Sequence, residues 1–295
     1  MSSVSLSRPA PPTLTVSGVS RRKITNWIAT GLVSACALAA VIALFSILGY
    51  VIFRGLPALN LDFFTQRPLP YGEVGGGVAP AILGTLTMLL VAGAIGIPVG
   101  LATAIYLSEY GKGSFARVIS FTVDLLAGLP SIVVGVFVWA FLVRQFIGNY
   151  NGFAGGVALS IIMIPIVTRT VYETLRLVPD NLREASLALG VPRWKTILTV
   201  VLPTARPGLI TGVVLSLARA GGETAPLLLT ALGNQFFSAD LLRPMASLPV
   251  QIYNYAVSPY DDWHTKAWGA ALILITVIGS LSLIMRLTLA SRRFR

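Results

Sequence analysis

The chain has 295 residues, 55% of them hydrophobic and only 11% charged, with a mean hydropathy of +0.80. A soluble domain carries about a quarter charged residues, so the composition excludes an ordinary soluble globule and points to the bilayer. The net charge of +11 would suit a nucleic-acid binder in a soluble protein, but its distribution argues against that class. Sixteen of the 22 Lys and Arg fall in the N-terminal segment, near 108–117, in 169–207 and from residue 286, near the end of the last apolar run, to the C-terminus. Five more lie in the other segments between apolar runs, balanced by five acids, and one, Arg219, lies near the centre of a run. This is the positive-inside bias, and it predicts both termini in the cytoplasm.

In chain order, residues 1–20 (MSSVSLSRPAPPTLTVSGVS) are rich in Ser, Pro and Thr, and a disordered tail is expected up to residue 26. Arg21 and Arg22 then precede an apolar run that exceeds the ~7–15 residues of a signal-peptide core, so it reads as a retained first membrane helix. Six runs reach the roughly 20 apolar residues a spanning helix needs. They cover about 27–53, 81–107, 118–143, 154–171, 208–232 and 267–289, and the runs are too long and continuous for barrel strands. The expected fold is therefore an all-α membrane protein of six spans over 27–295, with no soluble domain. Cys36, the single cysteine, lies in the first run and offers no disulfide or metal framework. Trp27 and Trp268 suit the headgroup region. Segments 54–80 and 233–266 are the two sizeable connections predicted on the outer face.

Small residues four apart, Gly96/Gly100 and Gly208/Gly212, predict close helix packing. Pro98, Pro130, Pro165 and Pro226 sit inside or near the ends of runs, where each removes a backbone hydrogen bond and kinks or interrupts a helix. The stretch EYGKGSF (109–115) has the wrong spacing for a phosphate-binding loop, and HExxH and paired cysteines are missing. The one histidine, His264, lies beside Trp263 and reads as interfacial. No cofactor or metal is expected on this chain, so any ATP and Mg must be bound by a partner.

The loop 172–207 is unlike the rest. In PDNLREASLALGVPRWKTILTVVLP (179–203), Asp180 is placed to cap a short helix with Leu182, Ala185, Ser186 and Leu189 on one face. Gly190 follows as a turn residue of positive φ, and Pro192 suits the first turn of a second short helix with Trp194, Ile197, Leu198 and Val201 on one face. An amphipathic loop lying on the membrane is one account of this segment, and a docking knob for a cytoplasmic partner is the other. The pattern Glu184-Ala185-Ser186, then Gly190, then Val200 and Leu202-Pro203, resembles the EAA loop in the membrane subunits of type I ABC importers. The family consensus has Ala at 186 and Ile at 200. The resemblance implies a permease bundle with cytoplasmic coupling helices. It also assigns Glu184, Ala185, Ser186, Gly190, Leu202 and Pro203 to the seat of an ATPase.

Further stretches, GGGVAPAILGTLTML (75–89), DLLAGLPSIVVGVFV (124–138), ARAGGETAPLLLTA (218–231) and MASLPVQIYNYA (245–256), resemble the PstA family of phosphate permeases. That resemblance implies a bacterial inner-membrane subunit importing inorganic phosphate by alternating access. The implied partners are a second permease (PstC), two copies of an ATPase (PstB) and an external phosphate-binding protein (PstS).

Arg219 falls within the fifth run, where an arginine at the membrane centre costs roughly 2.5–3.5 kcal/mol on the insertion scale. Glu223 follows four residues on, and Arg169 and Asp124 belong to the fourth and third runs. Arg219–Glu223 and Arg169–Asp124 are readable as ion pairs that hold helices together. Alternatively, Arg169, Arg219 and Glu223 line an anion path, since planar guanidinium donors match phosphate oxygens. The resemblance favours the path for Arg169 and Arg219 and leaves Glu223 open, while Asp124 is read as packing. A permease for another oxyanion, and an autonomous ion-coupled carrier using Glu223, are the rival readings. The first is not expected to share RAGGETAPLL, and the second leaves 184–203 unexplained.

Overall fold

The computed structural model describes the backbone of residues 16–73 and 75–290, and within these the side chains of residues 22–287. The expected tail at 1–15 and the last arginines, 292–295, lie outside the described residues. The described residues fall into two compact units that divide between Tyr50 and Val51. Among the described residues all the regular structure is helical, and five helices are long and apolar enough to span a membrane, or six if one sharply bent pair is a single span.

Helix α1 runs Val16–Gly55 for 40 residues. At 1.5 Å per residue that is about 60 Å, twice a ~30 Å hydrocarbon core. The helix thus begins within the tail expected to be disordered: no proline follows Pro12 until Pro57, and the long apolar run downstream propagates the helix backwards. Trp27, Leu32, Phe45 and Ile47 are all more than 60% exposed, so this helix is apolar all round.

In the second unit, α2 (Leu61–Thr65) is capped by Asn60, whose side chain accepts from the Phe63 N–H at 2.8 Å. Helix α3 (Ala79–Ile105) ends in a π-helical turn, Tyr106–Tyr110. Helices α4 (Gly113–Gly128) and α5 (Ser131–Val138, extended by a π-helical stretch to Ile147) follow. Helix α6 (Gly152–Arg176) is the central element. The remaining helices are α7 (Asp180–Ala188), α8 (Arg193–Thr196), α9 (Leu202–Gly221), α10 (Ala225–Thr230), α11 (Leu248–Ala256) and α12 (Asp261–Ala290).

Helix α6 packs on α3 along one flank and on α9 along the other, and both seams are made by the glycine pairs. A Cβ added at Gly96 would lie 3.1 Å from Met163 Cβ, and one at Gly100 would lie 2.8 Å from Val167 Cβ. On the other flank Gly208 meets Thr174, and a Cβ at Gly212 would lie 3.1 Å from Thr170 Cβ. Thr168 Oγ1 donates to the Gly100 carbonyl at 3.3 Å, so the close approach also creates a hydrogen bond between helices. Met88, Leu159, Met163, Leu217 and Leu227 fill the core of this block.

Two expected spans are arranged differently. The run 118–143 is broken: α4 and the helical stretch Ser131–Ile147 meet at 105°. A residue before proline is steered out of the α region, and Leu129 (ψ 135°) and Pro130 (ψ 134°) are both extended. The helix that carries the fifth apolar run covers Arg193–Gly221, so it starts before the run 208–232 and stops within it. Its start includes the expected second short helix, because α8 does not stop at Pro203. The Leu202 N–H bonds the Ile197 carbonyl, five residues back, and this π-helical turn (Ile197–Val201) carries the helix past the proline. At the other end Gly221 and Gly222 terminate it, and α10 restarts with Pro226 in its first turn.

The connections 54–80 and 233–266 form a small second core at the end of the bundle opposite α7. Phe63, Val78, Leu248 and Tyr255 are buried there against Ala267 and Ala270 of α12. The Leu248 N–H donates to Thr85 Oγ1 at 2.8 Å, which ties α11 to α3. Burial pushes the Tyr255 phenol up from its usual 10 to about 12, so it stays neutral. His264 Nε2 pairs with the Ser258 carbonyl at 2.7 Å, a turn-stabilising contact.

Candidate functional site

The break in the third span positions the first site. Leu126, Leu129, Ser131, Pro165, Arg169 and Arg219 are among the residues lining a cavity of about 270 Å³ where the bend faces α6. The two arginines thus converge from separate helices. Arg169 lies within α6, which runs on to Arg176, rather than at a span end as the hydropathy pattern predicts. Arg219 lies in the last turn of α9, because the two glycines end the helix there rather than leaving the arginine near a span centre.

Both expected ion pairs form. Arg169 Nη2 bonds Asp124 Oδ1, and Arg219 Nε lies 3.7 Å from Glu223 Oε1. Neither pair is closed off: the Asp124 side chain is 53% exposed and that of Arg219 60%. Asp124 thus has the ion partner on a neighbouring helix that its packing reading calls for, and it does not line the cavity. A separation of 3.7 Å exceeds hydrogen-bond length, so Arg219 keeps its guanidinium donors available. Glu223 does not line the cavity and is mostly buried behind Arg219, on the irregular link between α9 and α10.

One contributor escapes a reading of charge alone. Helix α5 begins at Ser131, which lines the same cavity, so a helix N-terminus without a side-chain cap opens there, its Val133 N–H already bonded to the Pro130 carbonyl at 2.9 Å. The signal for it is Gly128-Leu129-Pro130-Ser131, a breaker followed by a residue that starts helices. Two guanidinium groups and a helix N-terminus around one cavity make an arrangement suited to an oxyanion.

The second site is the α7–α8 knob. Gly190 has φ +77°, the left-handed conformation that its place after α7 requires, and nothing lies within 4 Å of an added Cβ. Ser186 is buried and its Oγ shares a hydrogen bond with Thr196 Oγ1 at 2.9 Å, closing α7 onto α8. The hydroxyl at 186, where the resembled motif has Ala, thus has a defined partner. Glu184, Ala185 and Pro203 are exposed and Leu202 half-buried. Leu189 is 84% exposed and Trp194 60%, so the knob presents apolar side chains next to its charges.

Comparison with known proteins identifies the family of the chain. The family described as binding-protein-dependent transport system inner membrane component matches residues 96–295. The phosphate transport system permease protein PstA of Yersinia pestis is 41% identical over 281 residues, covering 93% of this chain and 95% of its own. PstA of Pasteurella multocida is 47% identical over 234 residues, covering 79% and 83%. PstA 1 of Mycobacterium tuberculosis is 42% identical over 287 residues, covering 96% and 93%. Among solved structures, the MetNI methionine ABC transporter aligns with a TM-score of 0.62 at 22% identity, over 72% of this chain and 95% of its own. A bacterial alginate importer aligns at 0.66 and 15% identity, over 94% and 99%, so the fold is shared across distant importers. With its helical bundle, its EAA-like knob and this degree of identity along nearly its whole length, the chain belongs to the PstA family of binding-protein-dependent permeases.

Proposed function

We propose that the chain is the membrane permease subunit of an ATP-driven importer of inorganic phosphate, and that phosphate passes the cavity between the bend of the third span and α6. The observation that carries this reading is the convergence of Arg169, Arg219 and the α5 N-terminus on one cavity. Charges at membrane depth are retained where they face a polar path, and half-helix N-termini turned towards anionic substrates are a recurrent transporter device. In this reading Arg169 and Arg219 hold the phosphate oxygens, and Glu223 returns the Arg219 side chain once the anion has left.

The knob at Glu184–Gly190, with Leu202 and Pro203, seats in the ATPase. That puts α7 and α8 in the cytoplasm, in accord with the bias of Lys and Arg towards 169–207. The second core, around 54–80 and 233–266, then faces the external binding protein. The subunit sits in the bacterial inner membrane beside a second permease, PstC. A PstB dimer binds ATP and Mg, and PstS delivers phosphate. Such a chain performs no chemistry of its own and works by alternating access.

The rival reading, in which Arg219 and Glu223 only hold helices together, is separated by the double change Arg219→Met with Glu223→Leu. A structural pair is often replaceable by apolar residues of similar volume at little loss. The double variant is expected to insert and to co-purify with its partners, yet to import no phosphate. Arg219→Lys keeps the charge but loses the bidentate fork, and partial uptake at most is expected. Normal uptake by a normally assembled double variant removes Arg219 from the path.

A further inference from the structure

Glu109 belongs to neither site, and it is the most buried charged side chain among the described residues, 5% exposed in the π-helical turn that closes α3. Its partner is Arg183 of α7, 74 residues along the chain. Arg183 Nη2 donates to Glu109 Oε1 at 2.8 Å, and its Nε lies 3.3 Å from each carboxylate oxygen. The same guanidinium donates through Nη2 to the Leu175 carbonyl at 2.9 Å and through Nη1 to that of Val178 at 2.6 Å. Its remaining contact is Asp180 Oδ1 at 3.1 Å.

A guanidinium has five N–H donors, and here they are matched by acceptors at the ends of α3, α6 and α7. Arg193, which opens the long fifth span, donates to the Glu109 carbonyl oxygen, and its guanidinium lies 5.0 Å over the Tyr110 ring. One acidic residue therefore gathers the ends of three spans and the first knob helix.

We propose that Glu109 is the positioning residue of the knob. By holding Arg183 with its side chain and Arg193 with its carbonyl, it fixes α7 and α8 to the ends of α3 and α6. A displacement of the knob then moves α3, α6 and α9 as one body, so the close-packed block turns against the α4–α5 arm that walls the cavity. Without the carboxylate, Arg183 loses its one buried charged partner, at a site where its own side chain is only 18% exposed, and keeps the exposed Asp180 of its own helix. Helix α7 is then tied to the end of α6 by the Leu175 and Val178 carbonyls alone and has lost its side-chain tie to α3, so its movement carries the spans less faithfully. This inference rests on α7–α8 being the seat of the ATPase.

The test measures phosphate imported per ATP hydrolysed by the complete importer in lipid vesicles, with the binding protein and phosphate supplied. For Glu109→Gln the ratio is expected to fall about tenfold, the effect of leaving one charged hydrogen bond unmade. A variant that merely folds less well lowers uptake and hydrolysis together and leaves the ratio unchanged. Glu109→Asp restores the charge and is expected to recover part of the ratio. Arg183→Lys, with three donors in place of five, is expected to lose it as Glu109→Gln does. A wild-type ratio for Glu109→Gln overturns the proposal. Should that variant not reach the membrane, the ratio for Arg183→Lys decides on the same criterion. Gly190→Pro, which breaks the knob itself, runs alongside. If it lowers the ratio while Glu109→Gln does not, only the positioning role falls. If neither lowers it, the seating of the ATPase on α7–α8 falls as well.

Discussion

Prolines in the α3–α6–α9 block and in the α4–α5 arm have opposite consequences. Pro98 and Pro165 lie inside helices that remain continuous, whereas Pro130 marks a 105° break. The residue type is the same, so the surroundings decide. Pro98 stands between Gly96 and Gly100, both pressed onto α6, and Pro165 is itself buried between α6 and its neighbours. Packing on both flanks holds those helices across a missing hydrogen bond. Leu129 is 42% exposed and nothing lies within 4 Å of a Cβ added at Gly128, so there the local preference of the Leu-Pro step prevails. The close-packed block thus supplies Arg169 and Arg219, and the arm, open at its bend although α5 is packed, supplies the opposite wall and the helix N-terminus.

The contrast breaks most severely if the block is forced apart. A valine at Gly100 places Cβ 2.8 Å from Val167 Cβ, with the Ile164 carbonyl oxygen 3.2 Å away, and Val167 is fully buried. Backbone separation is the only relief, and overpacking of this kind costs about 3 kcal/mol. Gly100→Val is expected to lower the thermal unfolding midpoint of the purified complex and to reduce its yield, with uptake falling in proportion. A variant of wild-type stability would show that α3 and α6 are not held by close approach.

A second change acts on the arm and spares the block. Pro130→Ala returns an N–H donor and lifts the restriction on Leu129, so α4 and α5 gain the option of one straight helix. Straightening removes Ser131 and the α5 N-terminus from the cavity. The expected result is a normal unfolding midpoint with phosphate uptake down about tenfold, equivalent to roughly 1.4 kcal/mol of lost anion stabilisation. Uptake that stays normal would detach the bend from transport.

These two regions also differ in how much the amino-acid sequence discloses. The glycine seams were readable because small residues four apart recur in apolar runs, and Arg169 and Arg219 because a charge among apolar residues is conspicuous. Span boundaries were less so. The run 208–232 looks continuous by hydropathy, and only Gly221 and Gly222, with Pro226 beyond, signal the irregular stretch at which the helix stops, while a π-helical turn carries the chain past Pro203. Local pattern carries no information on such turns, since they depend on how the helix is held along its length. Glu109 was hidden for a related reason. In EYGKGSF it looks like a solvated loop acid, and only the return of the chain at Arg183 and Arg193 buries it. Ser186 shows the same limit: its hydroxyl looks like a departure from the EAA pattern until Thr196 is placed 2.9 Å away.

The mildest change separates an arm that is open at its bend from one that needs a hinge there. Gly128 is the last residue of α4, has no left-handed backbone angle, and would bring an added Cβ within 4 Å of nothing. The static structure therefore gives it no steric reason to be glycine, unlike Gly100. Alanine at such a position reduces the conformational freedom of the unfolded chain and favours helix, a gain of up to about 1 kcal/mol. Gly128→Ala is expected to raise the unfolding midpoint slightly and to leave uptake unchanged, because the 105° bend is set by the Leu129-Pro130 step that it leaves intact. Equal stability with reduced uptake would mean that the backbone at 128 passes, during transport, through conformations that alanine resists. The bend would then be a working hinge rather than a fixed elbow, and the arm would differ from the block in motion as well as in packing.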